Sequence, residues 1–373
     1  MQRALLKQIK RIVLKVGSGI IASRDQGLNT SRIEQLAKEV AQIREAGYQI
    51  LLVSSGAILS GLKKLGLTER PKTLPVKQAA AAVGQSRLMW AYEQAFDQCG
   101  IKVAQILLTH EDLSNRMRFL ASRNTLATLI DWQVVPIINE NDTVSMEEIR
   151  FGDNDILAGL VAHLVDAQLL VILSDVDGLY TEDPRKNPKA HRIPEVAQVT
   201  AEIERMAGDT ISFGGTGGMQ SKLKAAKQAA SYGVATLIID GSIPGRVIDA
   251  LGGAERGTLF FPKDQRLNSR QHWIAYTLKS KGQLHLDQGA VEALAKRGKS
   301  LLPSGVREVS GRFETGDAVS CLDAAGQEFA RGLVNYGATE LMKIKGAKST
   351  DIVQILGYKD YDEVIHRDNL VIL

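Results

Sequence analysis

Up to about residue 262 the chain alternates short, β-branched apolar runs with longer amphipathic stretches. "RIVLKV" leads into "TSRIEQLAKEVAQIREAG", whose apolar residues recur at helical spacing, with Thr30 or Ser31 as the expected cap and Gly47 as the expected stop. "YQILLVSS", the helix-like "GAILSGLKKLG", "KVAQILL", "VVPIIN", the buried helix "ILAGLVAHLV", "AQLLVILSD" and "VATLIID" follow. Apolar runs without strict alternation, separated by helices, predict strands buried on both faces of a parallel sheet. The expected class is therefore α/β, an open, mainly parallel sheet sandwiched by helices. Such sheets bind ligands beyond the carboxyl ends of their strands, so the chemistry is expected just after each run.

Past about residue 280 the pattern changes to short strands such as "AVSCL" and "FARGLVNY", separated by glycine turns, which predict a small β-barrel-like domain. The polar stretch "FPKDQRLNSRQHW" reads as a linker. The expected boundaries are a first domain over 1–262, a linker over 263–279, a second domain over 280–360 and a C-terminal tail over 361–373.

Composition narrows the function. Hydrophobic residues make up 44% and charged residues 24% of 373 positions, which is ordinary for a globular chain, and a net charge of +4 is too even to imply an anionic partner. The stretch 281–360 holds 11 basic and 10 acidic residues, which argues against nucleic acid as its ligand. Two cysteines, Cys99 and Cys321, give neither a disulfide framework nor a zinc site. The N-terminal apolar pattern is broken by Lys7, Lys10, Arg11 and Lys15, unlike a signal peptide. The longest charge-free run, Ala46 to Leu62, contains Tyr48, Gln49 and "SSG", so no membrane span is expected and the location is expected to be cytoplasmic.

Four strand exits carry candidate chemistry: "KVGSG", "SSGA", "SDVDGLYTEDP" and "GGTGGMQSK". Glycine before a helix lets backbone N–H groups approach an anion, with help from the helix dipole. One such loop is an ordinary turn, but four in one domain, two of them beside a lysine, point to phosphate. Neither a P-loop nor a dinucleotide fingerprint fits, because Ser221 precedes Lys222 and the glycine spacing is wrong. Lys15 interrupts a strand that should be buried, as expected of a lysine reaching forward to an anion. Asn139, Asn141, Asp142, Asp153, Asn154 and Asp155 exceed what caps and turns require, although Asn154 or Asp155 alone suits a helix cap. Ala158 at the sixth position excludes an EF-hand starting at Asp153.

In this order, "KVGSG", "SSGAILSG", "INENDTV", "GDND", "SDVDGLYTEDP" and "GTGGMQSK" resemble the amino acid kinase family. The pairing of "NEND" with "GDND" is most similar to the branch that phosphorylates the γ-carboxylate of L-glutamate with ATP, the first step of proline synthesis. "GKSLLPSGV", "GRFETGD" and "ARGLVNY" resemble a PUA domain. The resemblance implies ATP and Mg²⁺ as cofactors, the metal held mainly through the phosphates with no side-chain ligand assigned. It implies catalytic roles for Lys15 and Lys222, which grip the transferred phosphoryl group, and for Asp155, which positions them. Ser55, Asp142 and Asn154 match substrate-binding positions, with Asn139, Asp153 and Gly56 close by. Lys15, Gly17, Ser174, Asp175, Thr216, Gly217, Gly218, Met219, Gln220, Ser221 and Lys222 match ATP-binding positions. A homodimer or homotetramer, feedback inhibition by proline and transient contact with glutamyl phosphate reductase are implied in the same way. Sibling activities on aspartate, N-acetylglutamate or a nucleoside monophosphate stay open at this point, as does RNA binding by the C-terminal region. A free α-ammonium suits Asp142 and Asp153, and the C-terminal region does not look like an ACT domain.

Overall fold

The computed structural model describes residues 6, 9–23, 27–67, 71, 73–145, 154–207, 218–262, 274–275 and 278–373. It divides into two compact units, Met1–Arg266 and Leu267–Leu373. The linker expected over 263–279 falls largely outside the described residues.

The first unit is built on an eight-stranded sheet. Its strands are β1 (Arg11–Val16), β2 (Gln49–Ser54), β3 (Val103–Leu108), β4 (Val135–Glu140), β5 (Leu169–Ser174), β6 (Glu195–Val196), β7 (Ala235–Asp240) and β8 (Thr258–Phe260). They lie in the order β3-β4-β2-β1-β5-β7-β8-β6. The six long strands pair in parallel, while β8 runs antiparallel to β7 and parallel to β6. All six were legible as apolar runs. The sequence reading did not anticipate β6 and β8, because two or three residues carry no periodicity.

Each central strand divides its side chains between two cores. Ile12, Leu14 and Val16 of β1 point to one face, with Ile50 and Leu52 of β2 and Val171 and Leu173 of β5. That face is covered by α1 (Thr30–Glu45) and α3 (Leu74–Asp97), through residues such as Leu36, Val40, Leu88 and Phe96. Val13, Leu51, Val53 and Ile172 point to the other face, covered by α4 (Asn154–Leu164) and α5 (Met219–Ser231) through Leu157, Val161, Leu223 and Ala226. Burial on both faces explains why the runs show no polar alternation.

Two local expectations are corrected or sharpened. Asn29, and not Thr30 or Ser31, caps α1: its side-chain oxygen accepts from the Arg32 amide at 3.0 Å, because Thr30 is already inside the first turn. Gly47 does end α1, at φ +94°, a conformation a side chain resists. Between α2 (Ala57–Lys64) and α3 the backbones touch. A Cβ at Gly61 would stand 1.8 Å from the Ala80 carbonyl oxygen, and one at Gly84 would stand 1.7 Å from that of Ala57. Only glycine permits this approach.

The second unit carries a five-stranded sheet: β9 (Gly282–Leu286), β10 (Val306–Gly311), β11 (Ala318–Leu322), β12 (Glu328–Leu333) and β13 (Leu370–Ile372), in the order β10-β9-β11-β12-β13. β9 and β11 are parallel and the other pairs antiparallel. Its core gathers Leu284, Phe313, Val319, Tyr336, Leu341 and Ile365. The segment 361–373, expected as a tail, instead supplies β13, whose residues pair with Ala330 to Gly332. Three residues at a chain end gave the pattern too little to read. Among the described residues no helix is long and apolar enough to cross a membrane.

Candidate active site

Strand parity decides where Lys15 points. It follows Val13 by two residues on β1 and so faces the α4/α5 side of the sheet, where Asp155 begins α4 and Lys222 stands in the first turn of α5. The Asp155 carboxylate receives both ammonium groups: Lys15 Nζ lies 2.5 Å from Oδ1 and Lys222 Nζ lies 3.1 Å from Oδ2. Asp155 is 0% exposed, Lys15 4% and Lys222 7%. Burial by itself would push the Asp155 carboxyl up. The charge of Lys15, then that of Lys222, and their hydrogen bonds outweigh burial and hold it down at about 2. The two buried cations thus converge on one buried carboxylate at the carboxyl edge of β1.

A relay of side-chain amides lies beside it. Asn154, the residue before Asp155, donates through Nδ2 to the Ser54 carbonyl at 2.7 Å, to Ser55 Oγ at 3.0 Å and to Asn139 Oδ1 at 2.9 Å. Asn139, at the end of β4, accepts also from the Glu140 amide at 2.9 Å and donates to Gln85 Oε1 on α3 at 2.8 Å. Asn154 is thus no simple cap, since its amide ties α4 to β2 and β4. Gly56 follows Ser55 in the left-handed region at φ +96° and opens α2 with no side-chain cap. Behind the relay, Ser145 Oγ donates to Glu140 at 2.8 Å and Tyr92 shares a 2.9 Å hydrogen bond with Ser54 Oγ. Asp142 is half-buried in the turn that follows β4, three residues beyond Asn139. Asp153 lies outside the described residues.

On the other side of the lysines, a cleft of about 260 Å³ opens beyond β5, lined by Ser174, Asp175, Tyr180, Met206, Gly218 and Lys222 among others. Ser174 is buried and its hydroxyl donates to Asp175 Oδ1 at 3.2 Å. Gly17 opens the short helix Ser18–Ile21, and a Cβ there would stand 3.2 Å from the Leu173 carbonyl oxygen. Gly218 opens α5 with no side-chain cap, so Met219, Gln220 and Ser221 present the amide end of a 13-residue helix beside Lys222. Thr216 and Gly217 lie outside the described residues.

The sequence reading missed several of these groups. Gln85 and Tyr92 sit on a helix whose apolar pattern hides them, and only the proximity of α3 to β2 and β4 brings them in. Arg32 is buried, paired with Glu39 at 2.7 Å, and donates twice to the Gly241 carbonyl, which holds the exit of β7. Asp177, in "SDVDG", pairs with Arg246 at 2.8 Å and fixes the loop after β5. Charged residues inside α1 were the available signal for Arg32.

The description "Amino acid kinase family" matches residues 10–240, and "PUA domain" matches residues 282–356. A protein named glutamate 5-kinase from Geobacter sulfurreducens is 53% identical over 373 residues, all of both chains. One of the same name from Moorella thermoacetica is 49% identical, over all of this chain and 98% of its own. Among solved structures, the carbamate kinase of Giardia lamblia bound to AMP-PNP shares the fold at TM-score 0.50 and 20% identity, covering 69% of this chain and 100% of its own. With a family match over more than half its length and relatives at about half identity from end to end, this chain belongs to the amino acid kinase family and carries a PUA domain behind its kinase fold.

Proposed function

We propose that the chain transfers the γ-phosphoryl group of ATP to the γ-carboxylate of L-glutamate, giving L-glutamyl 5-phosphate and ADP. The name shared by the full-length relatives supports the substrate. The observation that carries the mechanism is the buried pair of lysines on Asp155, between an amide-lined relay and a cleft that ends at the N-terminus of α5.

A carboxylate nucleophile has an ordinary pKa near 4.3 and is ionised at neutral pH, so the site needs no general base. The difficulty is electrostatic, because an anion must approach a polyphosphate. Lys15 and Lys222 neutralise charge as it spreads over the moving phosphoryl oxygens, and Asp155 keeps both in place. Ser55, Asn154, Asn139 and Asp142, with Asp153, hold the acid so that one carboxylate faces the lysines. Gly17, Ser174, Asp175 and the run Thr216 to Ser221 hold the nucleotide. Among the described residues no three His, Cys, Asp or Glu side chains converge on one point. Mg²⁺ would arrive on the ATP phosphates and would add charge neutralisation there. A cytoplasmic homo-oligomer, inhibition by proline and handover of the labile acyl phosphate to a reductase belong to the same proposal.

The test measures ADP release by the purified chain with Mg·ATP and L-glutamate, L-aspartate, N-acetylglutamate or UMP, and traps any acyl phosphate with hydroxylamine. Hydroxamate from glutamate is expected, with little from aspartate and none from the others. Product from a different acceptor, and not from glutamate, overturns the assignment of the amide relay while keeping the lysines.

A further inference from the structure

Gln85 carries a donor that the fold leaves unused. Its Oε1 accepts from Asn139 Nδ2 at 2.8 Å, while its Nε2 is buried and has no hydrogen-bond partner. The orientation is fixed from the backbone outward. The Glu140 amide only donates, so the Asn139 atom 2.9 Å from it is the side-chain oxygen. The Ser54 carbonyl only accepts, so the Asn154 atom 2.7 Å from it is Nδ2, which donates to the same Asn139 oxygen. Asn139 Nδ2 is thereby turned to Gln85, Gln85 answers with Oε1, and both N–H groups of its Nε2 remain for another acceptor. Buried donors are rarely left unpaired, and an orphan beside a ligand site marks where a ligand atom belongs. The preceding residue, Gly84, lies directly against the Ala57 carbonyl, so α3 is packed backbone to backbone on α2 at this point.

We infer that Gln85 Nε2 donates to the α-carboxylate of the amino acid substrate and sets which acids the site accepts; this rests on the glutamate reading above. A group that only donates suits a carboxylate and not an ammonium. Its relay partner Asn139 is on β4, two strands from Lys15 on β1, so the unused donor stands apart from the lysines that face the γ-carboxylate. Glutamate sets its two carboxyl carbons four C–C bonds apart and aspartate only three, so a donor fixed at one end discriminates between them.

The test is steady-state kinetics of the full chain with L-glutamate and with L-isoglutamine, the α-amide that keeps the γ-carboxylate. Gln85→Leu is expected to raise KM for glutamate ten- to a hundredfold, the range for a lost hydrogen bond to a charged group, with KM for ATP unchanged. The preference for glutamate over isoglutamine should shrink by a similar factor. Gln85→Glu keeps an acceptor for Asn139 but sets a carboxylate against a carboxylate, and is expected to lose at least as much as Gln85→Leu. A Gln85→Glu enzyme near wild type shows that the side chain acts only through Asn139 and overturns the inference. Equal losses on glutamate and isoglutamine, or an unchanged KM for glutamate, also overturn it. A wild-type chain inactive on glutamate overturns the underlying reading, and this inference with it.

Discussion

Asp155→Asn changes the charge at the centre of the site and keeps its shape. In the native protein the carboxylate is fully buried and receives Lys15 at 2.5 Å and Lys222 at 3.1 Å. Its pKa is held at about 2 against an ordinary 3.8, which at about 1.4 kcal/mol per unit amounts to on the order of 2–3 kcal/mol of folding stability. Removing one partner of a buried ion pair typically costs about 3–5 kcal/mol, because the remaining charge stays desolvated and unpaired. The linkage figure counts only the proton, whereas the substitution also strands two ammonium groups, so the larger value is the better guide at neutral pH. The sign follows from the depressed pKa. The carboxylate's contribution is complete above pH 3.8 and is lost as pH falls from 3.8 towards 2, where the folded state also takes up the proton. Urea denaturation of wild type and variant should therefore show a gap of about 3 kcal/mol at pH 7 that narrows below pH 4. Turnover in the hydroxamate assay should fall at least a hundredfold, since the lysines lose their anchor. A variant within about 1 kcal/mol of wild type at pH 7, or a gap unchanged down to pH 2, would refute the reasoning.

Lys222→Ala should cut kcat by about 10²–10³, the usual loss for one donor to transition-state charge, with the fold intact by circular dichroism; near-normal turnover removes Lys222 from the mechanism. Gly84→Ala places a methyl 1.7 Å from the Ala57 carbonyl oxygen, so α2 and α3 must part by roughly 1.5 Å. A loss of about 3 kcal/mol, seen as a lower Tm, and a raised KM for glutamate are expected. Stability unchanged by that substitution contradicts the close packing. His163 stacks on Tyr232 at 3.9 Å, and burial, opposed by Asp166 and aided by Arg123, pushes its pKa down to about 4. The unfolded chain binds this proton from about pH 6.5 downward and the folded one does not. Stability should thus fall by about 3 kcal/mol between pH 6.5 and 4, and His163→Phe should flatten that slope in pH-dependent denaturation.

The sequence by itself determined the six long strands, several of the helices between them and the positions where chemistry begins, although α3 and the helix Arg116–Asp131 were not read from the pattern. Local apolar patterning and strand-end glycines are written in consecutive residues, and a doubly covered parallel sheet follows from them. It also marked Lys15, because a lysine inside a buried strand is conspicuous without a fold, whereas the roles of Asp155 and Lys222 came from the resemblance to the amino acid kinase family. Tertiary structure decided which face of β1 Lys15 occupies relative to α4 and α5, since strand parity acquires meaning only once the helices are placed. It joined Asn154 to Ser54, Ser55 and Asn139 across separations of up to 100 residues. It brought in Gln85, which no local pattern distinguishes from a helix-surface glutamine, and made Leu370–Ile372 a strand by pairing with β12. Hydrogen bonds between distant side chains depend on coordinates that periodicity does not encode, whereas burial of a whole run is an average property that periodicity reports directly.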